Sequence, residues 1–109
     1  MDYPESDWKL FRSRIIQWQE TYMDKLNKEY MEILTGDSLP SEKFWRLEEK
    51  INRDKKSPGV TLRMSRNDLF PNILNLLHNE IITADDLNGF SDSLKDAVLL
   101  FENMSKTEE

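Results

Sequence analysis

The chain has 109 residues, 33% of them charged, with a net charge of -6 and no cysteine. That length suits one domain and is short for two. The missing cysteine excludes disulfides, thiolate metal sites and cysteine nucleophiles, and no apolar run approaches the roughly 18 residues of a membrane span. The first residues, Met1-Asp2-Tyr3-Pro4-Glu5, lack the basic-then-apolar pattern of a signal peptide, so a cytoplasmic protein is expected. Runs of β-branched residues are scarce and seven residues are Gly or Pro. That usage predicts an all-α domain.

The first segment dominates the reading. From Ser6 to Leu34 there is neither Gly nor Pro. Trp8, Phe11, Ile15, Trp18 and Tyr22 recur at gaps of three and four, and Leu26, Tyr30 and Ile33 continue the stripe. Such spacing marks one face of a helix. Residues 1–5 read as a lead-in, Ser6 as the N-cap, and Gly36 as a left-handed terminator after Thr35. A helix of about 29 residues is about 43 Å long, whereas a compact globule of this size is near 35 Å across. The helix overshoots. It bends, projects, or is covered by a second copy or another partner.

Pro40 fits the first turn of a second helix, with Ser38 or Ser41 as its cap. Phe44, Leu47 and Ile51 share one face, and Lys43, Arg46, Glu49, Lys50 and Arg53 the other. Ser57-Pro58-Gly59 stops it. Val60 to Met64 reads as an extended connector. Ser65 to Asp68 resembles a capping box, opening a helix through Leu69, Phe70, Ile73, Leu74, Leu76 and Leu77, which Pro71 bends or delays, with Asn79 as a left-handed terminator. Thr83 to Asp86 is a second capping box, before a short helix ending at Gly89. Ser91 caps a last helix with Leu94, Ala97, Val98, Leu100 and Phe101 on its apolar side. From Ser105 to Glu109 the tail is expected to fray. The architecture is one long helix, a second antiparallel to it, and three shorter ones.

The segments Ser41-Glu42-Lys43-Phe44-Trp45, Asp54-Lys55-Lys56-Ser57-Pro58-Gly59-Val60 and Ile82-Thr83-Ala84-Asp85-Asp86-Leu87 resemble a family of small all-helical bacterial proteins. The resemblance carries no activity and no functional residue with it. Transporter-like names attached to some members conflict with a chain lacking a transmembrane segment.

No motif points to catalysis, a metal or a cofactor. His78 is the one histidine and reads as a helix-terminal residue. Glu48-Glu49 and Asp85-Asp86 are neighbours that face apart on a helix, and Asp86 already belongs to a capping box. Gly36, Gly59 and Gly89 each mark a helix end, which is not the arrangement of a phosphate loop. A non-enzymatic protein is therefore expected.

Two binding surfaces remain. Residues 38–66 hold eight basic and four acidic groups, between acidic flanks. Arg46, Lys50, Arg53, Lys55, Lys56, Arg63 and Arg66 are the candidate anion-binding residues. Their plainer role is to offset the acidic C-terminal part of the same chain. The aromatic stripe is ordinarily core. Because of the overshoot, Trp8, Phe11, Trp18, Tyr22 and Tyr30 are also the candidate interface. The leading expectation is a protein-binding or regulatory module, with a homodimer through the first helix as one form of it. The alternative is a nucleic-acid-associated regulator using the basic 43–66 segment.

Overall fold

The computed structural model describes residues 3–108, with side chains from Tyr3 to Ser105. Met1, Asp2 and Glu109, parts of the expected lead-in and tail, lie outside the described residues. The fold is all-α. Its helices are α1 (Glu5–Thr35), α2 (Pro40–Asp54), α3 (Leu69–His78) and α4 (Asp92–Glu108), with single 3-10 turns at Arg66–Asp68 and Ala84–Leu87. The long first helix is one continuous rod of 31 residues, about 46 Å at 1.5 Å per residue. The protein is correspondingly elongated, 52 × 32 × 22 Å with a radius of gyration of 16.7 Å, against about 13 Å for a compact chain of this length.

The two halves of α1 have different neighbours. The N-terminal half supplies Phe11 and Ile15 to a core completed by Leu69, Ile73 and Leu76 of α3, Leu94 and Val98 of α4, and Ile82, Leu87 and Phe90 between them. Trp8, Leu10 and Trp18 pack against it from the same helix. The C-terminal half pairs with α2 and forms a two-helix arm. Residue pairing along the arm runs in opposite senses, from Lys50 with Glu29 to Pro58 with Gln19, so α2 is antiparallel to α1 as expected.

Helix ends differ from the sequence reading where tertiary contacts outbid local propensity. α1 starts at Glu5 behind Pro4, with no side-chain cap from Ser6. Gly36 is extended, with φ -71° and ψ -177°, so the expected left-handed turn is absent. Leu39 holds the N-cap position of α2, and Pro40 does occupy its first turn. Ser65 makes no capping bond. The expected helix is delayed to Leu69 by a 3-10 turn, which leaves Pro71 in the first turn where its missing N–H costs nothing. The box at Thr83 and Asp86 forms, but closes a 3-10 turn rather than a helix. Asn79 is not left-handed. Glu80 is, with φ 61°. Ile81 N–H bonds Leu76 C=O at 2.9 Å and Glu80 N–H bonds Leu77 C=O at 3.0 Å, the two bonds of a Schellman ending. The helical backbone of α4 continues past Ser105 to Glu108.

Candidate protein-interaction surface

The arm leaves apolar surface unfilled, as does α4, where Leu100 and Phe101, expected on its apolar side, are exposed together with Met104. No residue of α2 is buried. Its side facing α1 holds Leu47, Lys50 and Asp54. Lys50 reaches Glu29 at 2.7 Å and Asp54 at 2.9 Å, and the Tyr30 hydroxyl donates to Asp54 at 2.9 Å. The Lys50 ammonium also lies 5.5 Å from the Tyr30 ring centre. These groups tune one another. The hydrogen bond to Glu29 raises the Lys50 pKa, against the opposing effect of burial. Burial acts to raise the Asp54 carboxyl, but hydrogen bonds from Lys50 and Tyr30 hold it below the usual carboxylate value. Burial and then the bond to Asp54 raise the Tyr30 phenol.

Because this polar stripe takes the seam, the apolar stripe of α2 is rotated away from α1. Phe44 and Trp45 are 63% and 62% exposed, and Ile51 is exposed too. The Phe44 and Trp45 rings touch edge to face, with centroids 4.9 Å apart. The apolar face of Phe44, Leu47 and Ile51 read from the sequence is therefore not the side turned to α1, which instead takes Lys50 from the face read as polar. Leu47 is shared, and the other two face outward. Near the tip Met31, Leu34 and Leu39 are also exposed.

The five aromatic residues singled out from the sequence lie elsewhere. Phe11 is fully buried in the core, where it presents nothing to another chain. Trp8 and Trp18 flank it, with ring centroids 6.2 Å away in each case. Trp8 is also faced by the Arg12 and Arg66 guanidinium groups. Tyr22 lies flat against Gly59, where any Cβ would overlap its ring. Tyr30 belongs to the arm seam. Gly59 therefore serves close packing, beyond marking the end of α2.

The basic residues are dispersed. Lys50 is held by Glu29 and Asp54, Arg63 faces Asp68 at 3.8 Å, and Arg66 bonds Glu5 at 2.7 Å, lowering the Glu5 pKa. Their partners come mostly from α1 and α2, with Asp68 alone from the acidic C-terminal part. Arg46 and Arg53 share a shallow recess with Ile33 and Glu49 on one flank of the arm. Lys55 and Lys56 follow α2.

One polar pair was not legible beforehand. The Glu102 carboxylate, almost fully buried on α4, meets His78 Nδ1 at 3.1 Å beside a cleft edged by Glu80 and Thr83. A carboxylate on Nδ1 orients an imidazole. The 24-residue separation across two helices left no local signal. Thr83, the hydroxyl in that cleft, is engaged with Asp86. Among the described residues, no three His, Cys, Asp or Glu side chains cluster as metal ligands, and no helix is long and apolar enough to cross a membrane. No family model, curated protein or solved structure matches this chain.

Proposed function

We propose that this protein is a protein-binding module whose docking element is the α1–α2 arm. The observation that supports it is the outward apolar stripe of α2, with Phe44 and Trp45 both more than three-fifths exposed on a helix that buries no residue of its own. Exposed aromatic residues gathered in one place are typical anchors of an interface. The two-helix arm buries Leu26 of α1 but not the apolar stripe of α2, and helices bury their apolar faces by packing in at least two layers. The globular end of the molecule has its own core and leaves the arm free for this role.

Photo-crosslinking in the native cell tests the reading. A diazirine amino acid at Phe44 or Ile51 should give discrete protein adducts. The same probe at Asp85, exposed on the globular end, should not. An arm that yields no adduct at either position refutes the proposal.

A further inference from the structure

We infer that the arm docks a second copy of this chain, the two arms stacking face to face about a two-fold axis parallel to them. The inference rests on the protein-binding reading and names its partner.

Helix geometry defines the surface. On α1, the exposed Ile16 and Leu34 lie 18 residues, five full turns, apart, so they share one side. Ile16 lies about 140° round the helix from Phe11, which faces α3 and α4. This side therefore points away from the globular end. The charged recess of Ile33, Arg46, Glu49 and Arg53 occupies one flank of the arm. Phe44 and Ile51 follow the opposite rotation of the antiparallel α2 and emerge on the other flank, beside Leu34. Ile16 is 67% exposed, and Leu34, Phe44 and Ile51 are exposed as well. The result is a face along the molecule, unobstructed by α3 or α4, whose apolar residues are interrupted on α1 by Glu20 and Asn27.

Symmetry and charge favour a second copy over an unrelated chain. An isologous contact needs only one patch that complements itself. Two stacked arms make a four-helix bundle in which Phe44, Ile51 and Leu34 become interior. With Lys50 held in the seam and Arg46 and Arg53 on the other flank, the bond from Gln19 to Pro58 sets Glu20 of α1 near the level of Lys55 and Lys56 at the end of α2. A two-fold axis along the arm sets these lysines across the partner's Glu20. An axis perpendicular to the arm would set like charges together, which costs energy.

Sedimentation velocity across the micromolar range tests this. The wild-type chain should sediment as a dimer of twice 13.0 kDa. The variant Ile16→Glu/Phe44→Glu changes two exposed side chains, so it should keep its helical circular dichroism and sediment as a monomer. Glu20→Lys/Asp24→Lys and Lys55→Glu/Lys56→Glu should each weaken the dimer, and their mixture should form a heterodimer. A wild type that stays monomeric overturns the second-copy inference, while adducts to another protein at Phe44 would still uphold the docking role. A dimer unmoved by Ile16→Glu/Phe44→Glu, or a charge-reversed mixture that does not pair, overturns it equally.

Discussion

The Asp7 carboxylate accepts both the Ser91 backbone N–H, at 2.8 Å, and the Ser91 hydroxyl, at 2.6 Å. Asp7 is in the first turn of α1 and 1% exposed. Ser91 opens α4, with its hydroxyl accepting from Leu94 N–H and its carbonyl from Lys95 N–H. One buried carboxylate thus joins the start of the first helix to the start of the last, where a helix N-terminus also favours negative charge. Asp7→Ala removes the acceptor of two half-buried Ser91 donors, of which the hydroxyl has Ser93 Oγ at 3.1 Å as an alternative. It should cost about 2–3 kcal/mol, read as a lower urea midpoint at unchanged slope. Asp7→Asn keeps one acceptor oxygen and should lose less.

This pair also shows what local pattern conveys and what it does not. Asp7 and Ser91 were each legible as helix-terminal residues, but not their joining across 84 positions. The α1 rod and the core stripe of Trp8, Phe11, Ile15 and Trp18 could be read because periodicity alone specifies them. The seam of the arm could not. It uses Lys50 and Asp54 where hydrophobicity favours Phe44 and Ile51, and the three-way bond among Lys50, Glu29 and Asp54 depends on helix register. Ser6, Gly36 and Asn79 have strong local preferences that tertiary packing set aside. The aromatic stripe of α1, the candidate interface in the sequence, was absorbed by the core and seam for the same reason.

The arm seam should have a pH window. Asp54 has a lowered pKa in the folded chain, so its contribution is full above the unfolded value of about 4 and is lost as pH falls through the folded value. Lys50 has a raised pKa. Its contribution is full below the unfolded value of about 10 and is lost as pH rises through the folded one. Tyr30, also raised, has the same sign as Lys50. Amide exchange in α2 should be slowest between these limits and quicken on both sides, while Phe11 in the core is less affected. Asp54→Asn should remove the acid limb and cost about 1–2 kcal/mol. An α2 whose exchange, corrected for intrinsic chemistry, ignores pH would contradict the seam.

Gly59→Ala should destabilise the junction of arm and connector. The added methyl overlaps the Tyr22 ring, and overpacking of this kind costs about 1–3 kcal/mol. The lower chain entropy of alanine acts the other way by about 0.4–1 kcal/mol, and the clash is larger. Tyr22→Ala in the same chain removes the obstruction. The two losses should therefore be less than additive in a double-mutant cycle. Additive losses would mean that the ring is not the obstacle.

Duplex nucleic acid should bind weakly if at all. Lys50, Arg63 and Arg66 already face carboxylates, and the recess holding Arg46 and Arg53 also holds Glu49. A surface neutralising six or more phosphates shows a steep loss of affinity with salt, about 10³-fold or more between 50 and 200 mM. Fluorescence anisotropy with a labelled duplex should show no such slope, and Arg46→Ala/Arg53→Ala should leave the signal unchanged. A steep slope abolished by that pair would favour nucleic acid over protein as the ligand.

Glu80→Gly should stabilise the protein. Glu80 is held at φ 61° by the bonds to Leu77 and from Ile81 to Leu76 that finish α3. A side chain in this left-handed conformation costs about 1–2 kcal/mol, which glycine avoids. Glycine's greater freedom in the unfolded chain offsets part of the gain, leaving about 0.5–1 kcal/mol. The glutamate carboxylate has no hydrogen bond or ion pair among the described residues, so little is lost with it. Thermal unfolding should shift upward, with helical circular dichroism unchanged. Glu80→Val, β-branched at the same φ, should shift it downward, and equal midpoints for the two variants would show that the backbone here is not strained.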